Sequence, residues 1–249
     1  MLNRMELKKA AKAITKSAQV SAYSVALVYL VIRWLLNAAD NFMQASEDTV
    51  IYIGGSAIYP YREFFYSHAP FPTATVVFVS VLVWLLSSVL SAGWVLYHQG
   101  VRQGRVMPIS TLFEGFAFAG KIILLDLITT LFMALWSLLF VIPGIIAGYR
   151  YRFALYNLCE NPEMGVMDAI RLSKQQTQGH KMDLFVLDLS FIGWSLLCAL
   201  TLGILSIWIS PYIQQTDLGY FEAIKAEKGM GGLFGQDPMD DTFHPDDRF

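Results

Sequence analysis

The chain has 249 residues, 55% of them hydrophobic and only 15% charged, with a formal net charge of −2 and a mean hydropathy of +0.46; soluble domains carry roughly 25% charged residues. So little charge, with several apolar runs near the length of a bilayer crossing, excludes a soluble domain or a nucleic-acid-binding surface and indicates a polytopic membrane protein. Two cysteines, Cys159 and Cys198, are too few for a disulfide framework and are expected to be free thiols.

Met1 to Ser17 carries Arg4, Lys8, Lys9, Lys12 and Lys16 against Glu6 alone. This is the composition of a helix held on an anionic membrane surface, or of a positive flank that sets orientation. The first span is expected over 18–36 and uncleaved, because Arg33 interrupts its end and Asn37-Ala38-Ala39 is a poor cleavage site. A polar and aromatic connection over 37–73 follows, with Gly54-Gly55, Pro60, Pro70 and Pro72 as breakers and Tyr52, Tyr59, Tyr61, Phe64, Phe65 and Tyr66 as interfacial aromatics. The second span, 74–97, holds Ser87, Ser88, Ser91, Ala92 and Gly93 as a small-residue stripe that admits a close helix neighbour. After a loop with Arg102 and Arg105, a cap is expected at Ser110 and a third span over 118–142, with Lys121 near its start and Asp126 about two turns further in.

Pro143-Gly144 predicts a tight turn, since proline offers no N–H to the helix ladder. The fourth span, 144–160, then contains Arg150 and Arg152, a costly place for charge. Asn161 and Pro162 read as the cap and first position of an amphipathic cytoplasmic helix over 162–178, with Met164, Met167 and Ile170 on its apolar side and Gly179 as its stop. The fifth span, 182–200, holds Asp183 and Asp188. Thr201-Leu202-Gly203 makes a turn, and the sixth span, 204–224, includes Pro211 as a kink. Residues 229–249 are Gly-rich and acidic, five aspartates against Arg248, so that the tail carries −4 and the remainder +2; no packed structure is expected there.

Of the 18 Lys and Arg, 13 fall in segments that this arrangement places in the cytoplasm, Arg62 falls outside, and Arg33, Lys121, Arg150 and Arg152 lie within spans. An all-α bundle of six crossings in the cell membrane, both termini cytoplasmic, therefore satisfies the positive-inside rule at every loop. At about 1.5 Å per residue, Asp126, Arg150, Arg152 and Asp188 all lie about 10 to 15 Å from the cytoplasmic ends of their spans. They form a candidate charged layer, with Tyr149, Tyr151 and Asp183 as supporting polar groups. Arg150 and Arg152 are about 200° apart around a helix, so they are expected on different acids. Such pairs specify which helices touch; the other reading is a polar cavity for a substrate or lipid headgroup.

Gly93-Trp94, the IPGIIA run from Ile142 to Ala147, YRYRFALY after it, Glu160-Asn161-Pro162, Gly179-His180-Lys181, LDLSFIGW from Leu187 to Trp194 and Ser210-Pro211-Tyr212 occur in this order. Their order and spacing resemble a family of uncharacterised integral membrane proteins met mainly in Gram-positive bacteria, itself distantly similar to the membrane domain fused to some glycerophosphodiester phosphodiesterases. The resemblance covers roughly 91–221. It implies a six-span inner-membrane protein and no particular reaction.

His68, His98, His180 and His244 fall in separate segments without ligand spacing. With no phosphate loop, dinucleotide fingerprint, zinc motif or nucleophile elbow, no catalytic residue, metal or cofactor is expected. The expected function is a non-catalytic structural or regulatory membrane module that binds membrane lipid, a membrane-protein partner or a second copy, in a setting such as envelope stress, secretion or peptide resistance. The alternative is a small-solute or lipid transporter, or a permeation accessory, using a charged cavity between the third, fourth and fifth spans. No alignable internal repeat supports that alternative.

Overall fold

The computed structural model describes residues 4–18, 21–44, 47–53, 62–68 and 71–230. The acidic tail and the side chains of residues 45–70, including the interfacial aromatics expected there, lie outside the description. The basic N-terminal segment is a helix, α1 (Arg4–Ser17), followed by α2 (Ala22–Gln44). In the connection after α2, β1 (Glu47–Ile53) and β2 (Arg62–His68) pair antiparallel, from Glu47 opposite His68 to Ile53 opposite Arg62. No strands were assigned there from sequence; β-branched Thr49, Val50 and Ile51 and aromatic Phe64, Phe65 and Tyr66 favour the extended backbone.

The rest of the described chain is helical. It comprises α3 (Thr73–Arg102), a 3-10 segment (Ile109–Phe118), α4 (Ala119–Leu139), α5 (Val141–Tyr151), α6 (Ala154–Glu160), α7 (Val166–Thr177), α8 (Lys181–Leu189), α9 (Ile192–Leu200) and α10 (Ser206–Glu227). Among the described residues, four stretches are long and apolar enough to cross a membrane: Ala22–Gln44, Thr73–Arg102, Ile109–Leu138 and Lys181–Leu200. The stretches expected as the fourth and sixth spans are also helical. However, α5 and α6 are separate helices, and α10 carries Asp217, Glu222, Lys225 and Glu227. The outward faces are apolar: Val31 and Leu35 on α2, Phe78 and Val81 on α3, Leu127, Leu131 and Leu135 on α4, and Leu196 and Leu200 on α9 are all exposed. Contiguous apolar surface of this extent is what hydrocarbon solvent requires and water does not tolerate.

The turn between α4 and α5 is at Phe140, whose backbone is extended (φ −159°, ψ 149°), and not at Pro143-Gly144. Pro143 lies in the first turn of α5, where an N–H would have no helical partner in any case. Gly144 serves the close approach of the two helices: a Cβ there would stand 2.0 Å from Ser137 Oγ. On α3 the small residues also mark a close approach, this time to the backbone of the 3-10 segment. A Cβ on Gly93 would lie 1.9 Å from the Leu112 carbonyl oxygen, and one on Gly115 would lie 2.7 Å from that of Val89. Ser110 does not cap this segment; Pro108 occupies the cap position without a side-chain bond.

A compact core forms where α6, α7, α8 and the second half of α10 meet, centred on Phe153, Leu158, Ile170, Leu184, Leu187, Leu218, Phe221 and Ile224. In α7 the buried face is Val166, Ala169, Ile170, Ser173, Gln176 and Thr177, one helical stripe. This face is rotated from the expected Met164-Met167-Ile170 line: Met167 is 45% exposed and Met164 only partly buried. Ala169 and Ser173 are small enough to let α6 approach where methionines would hold it off. Asn161 Oδ1 accepts the Glu163 N–H at 3.2 Å, but the helix begins only at Val166, after Gly165. At its far end Gly179 takes φ +90°, as a glycine stop does. Leu202 (φ 52°) and Gly203 (φ 85°) make the α9–α10 turn.

Candidate functional site

The helix that begins at Val141 stops at Tyr151 and restarts at Ala154, which frees backbone groups inside the protein. α7 meets them. The Phe153 N–H donates to Ser173 Oγ at 3.2 Å, and Ser173 Oγ donates to the Arg150 carbonyl at 2.8 Å. Ser173 is fully buried. Ser173→Ala is therefore expected to lower stability by about 1–3 kcal/mol, the cost of stranding a buried polar group. The thermal midpoint in detergent measures this, and an unchanged midpoint would show that something else holds the break.

The break aims Arg152 at two other helices. Its Nη1 donates to Asp188 Oδ2 at 2.7 Å, and its Nη2 donates to Asp188 Oδ1 and to both Asp217 oxygens, each at 2.9 Å. Three residues earlier, on α5, the Tyr149 hydroxyl donates to Asp188 Oδ2 at 2.8 Å. The planar fork of arginine suits this double engagement, which a lysine could not reproduce. The side chains of Arg152, Asp217 and Asp188 are 20%, 11% and 39% exposed, so Asp188 is the open member and Asp217 the enclosed one. Beside the cluster, Gln214 Nε2 donates to the Tyr156 hydroxyl at 3.1 Å.

Of the four residues expected in one layer, the structure brings Arg152 and Asp188 together and leaves the other two apart. Asp126 accepts a hydrogen bond from Ser88 Oγ. It also lines, with Ser91, Thr129 and Tyr151, a cavity of about 70 Å³. Arg150 has no ion pair among the described residues, and its engaged group is the carbonyl held by Ser173. Asp183 faces His180 instead, with Nδ1 3.5 Å from Oδ2. Two one-to-one pairs are thus replaced by one base shared between two acids. The second acid, Asp217, was missed because it follows Gln214, Gln215 and Thr216, a polar run that reads as the frayed end of a span. The one signal the sequence holds for it is the charge itself, since Asp217 is the only ionisable side chain from Gln214 to Asp217.

Lys225 and Arg102 also tie α10 to its neighbours. Lys225 Nζ lies 2.7 and 2.6 Å from the Glu160 carboxylate oxygens, and Arg102 pairs with Glu222 while its Nη1 donates to the Gln215 carbonyl at 3.1 Å. Between α6 and α7, Asn157 and Gln176 exchange amide hydrogen bonds of 2.9 Å in the buried core. Residues 138–228 match the family described as Protein of unknown function (DUF975). The matched stretch runs from the end of α4 through α10 and contains Arg152, Asp188, Asp217, Glu160, Ser173 and Lys225, that is, the cluster and most of what holds it. Neither the curated proteins nor the solved structures contain a match to the chain.

Proposed function

We propose that the chain is a non-catalytic structural or regulatory module of the cytoplasmic membrane. It is built of six membrane helices with both termini on the cytoplasmic side, and it offers its surface to a lipid or protein partner. The observation that carries this reading is that the charged cluster is engaged within itself: each oxygen of Asp188 and Asp217 accepts a bond from Arg152 or Tyr149. Groups engaged in this way fix the register of α5, α8 and α10, the best-attested use of a buried ion pair. Transport through a charged cavity is less well supported, because Arg152, Asp188 and Asp217 bind one another, the space beside Asp126 is about 70 Å³, and the larger hollow of about 790 Å³ beside Glu114, Lys121 and Glu163 lies apart from that cluster.

The reading is tested on the full chain purified from membranes after mild crosslinking, with solute flux measured in proteoliposomes. A reproducible lipid or protein partner and flux no greater than in empty liposomes are expected; flux above that background would replace this reading with transport. Orientation is tested with single cysteines in a C159A/C198A background. T73C at the start of α3 is expected to react with an impermeant maleimide on intact cells. Q175C, on the exposed side of α7, is expected to react only after permeabilisation. Reaction of Q175C on intact cells would overturn the cytoplasmic placement of α7.

A further inference from the structure

α1 lies antiparallel along α10. A Cβ on Gly219 would stand 3.5 Å from Leu7, while Thr15 and Lys16, further along α1, line a groove with Trp208 and Tyr212. Between these points Lys8 Nζ donates to Ser190 Oγ at 2.6 Å and stands 4.3 Å over the Phe191 ring. The groove has a volume of about 200 Å³ and is lined by Lys12, Lys16, Tyr23, Trp194, Trp208 and Tyr212, with no acidic side chain in its wall. That is room for several waters at about 30 Å³ each. Lys12 and Lys16 are four positions apart, hence on one face of α1. Both are exposed, and neither has an ion pair among the described residues. Trp194 and Trp208 are 42% and 50% exposed. Lysine heads beside half-exposed tryptophan and tyrosine rings mark the headgroup level of a bilayer.

We infer that this groove holds the phosphate of one anionic glycerophospholipid of the cytoplasmic leaflet. Lys12 and Lys16 face the phosphate, and Trp194 and Trp208 lie against the upper acyl chains. The inference rests on the cytoplasmic N-terminus proposed above, which places the start of α2, and Tyr23 within it, at that leaflet. The lipid is chosen by charge: two uncompensated ammonium groups attract an anionic headgroup and discriminate against a zwitterionic one. The groove also sets how far the last helical pair inserts. Lys181–Leu200 has the length of a crossing, but its first half, α8, packs in the core and the chain breaks at Ser190-Phe191. With Trp194 and Trp208 at the headgroup level, the last two of the six membrane helices form a short hairpin that enters the bilayer and returns to the same side, in place of two full crossings.

The test uses native mass spectrometry of the full chain released from membranes containing phosphatidylglycerol or phosphatidylcholine. Retention of one phosphatidylglycerol, no retained phosphatidylcholine, and at least a tenfold loss of retention in K12Q/K16Q are expected, with K9Q, exposed on α1 outside the groove, unchanged. Equal retention of both lipids, an equal loss in K9Q, or displacement of the lipid by millimolar inorganic phosphate would overturn the site. The first two results would indicate diffuse surface attraction, and the third a site for the free ion. A second measurement needs no lysine variant. Brominated phosphatidylglycerol is expected to quench tryptophan fluorescence beyond brominated phosphatidylcholine, and W194F/W208F to remove the difference; an undiminished difference in W194F/W208F counts against the groove. T201C is expected to stay unlabelled on intact cells, and labelling there would move the groove away from the cytoplasmic leaflet. Solute flux with the lipid still retained would end the proposed function and leave this site standing.

Discussion

Arg152→Gln is expected to be the most damaging neutralisation in the charged cluster, far worse than loss of either acid. The asymmetry follows from the stoichiometry of the site, one guanidinium bridging Asp188 and Asp217. Without Arg152 two carboxylates face each other inside the helix bundle. Breaking a buried pair from one side costs about 3–5 kcal/mol, because a charge is left uncompensated. Asp217 bears most of that cost; Asp188, whose side chain is 39% exposed, is partly screened. D188N and D217N each leave a neutral one-to-one pair, so each is expected to cost about 1 kcal/mol, the net worth of a hydrogen bond. R152K keeps the charge but loses the fork, and should fall between. The triple variant R152Q/D188N/D217N is expected to regain much of what R152Q loses. Thermal midpoints and the monodisperse fraction after detergent extraction give this ordering directly. If R152Q melts with the wild type, the cluster does not hold the helices; if D217N is as harmful as R152Q, the second acid is not a surplus charge.

Apolar periodicity and the breakers revealed the helical character, the stop at Gly179 and the turn at Leu202-Gly203, since each depends on residues adjacent in the chain. What escaped depends on contacts between distant residues. Arg152 meets Asp188 and Asp217 across 36 and 65 positions, and no local pattern distinguishes Asp217 from the Gln and Thr residues before it. Pro143 misplaced a turn by three residues because proline is tolerated equally just inside a helix start and between two helices. On α7 the methionines looked like the buried face, while the contact with α6 selected Ala169 and Ser173 for their size. The β1–β2 pairing was obscured by the polar and aromatic character of its connection, which suits an interfacial loop as well as a hairpin. Function was less legible than fold for a related reason. Of the charged groups that stand out in the sequence, Arg152 and Asp188 are engaged in joining helices, a role that no local motif announces.

Gly93→Ala is expected to remove most folded protein, although it adds a single methyl group. The new Cβ would lie 1.9 Å from the Leu112 oxygen, 2.4 Å from its carbonyl carbon and 2.7 Å from its Cα. All three are backbone atoms, so no rotamer change relieves the clash. Non-bonded heavy atoms rest at roughly 3.5 Å or more, so the 3-10 segment would have to retreat by about 1.5 Å. That retreat would pull Leu112 from the cluster it forms with Leu90, Trp94, Tyr97 and Ala26. Overpacking costs about 1–3 kcal/mol where side chains can yield; with backbone on the far side the upper end or more is expected. Gly120→Ala is the matched control, since a Cβ there meets nothing within 4 Å and alanine is favoured over glycine within a helix by up to about 1 kcal/mol. Size-exclusion profiles after detergent extraction should show G120A at wild-type yield or above, with G93A depleted or aggregated. A G93A protein as stable as the wild type would mean that the 3-10 segment is not seated on α3.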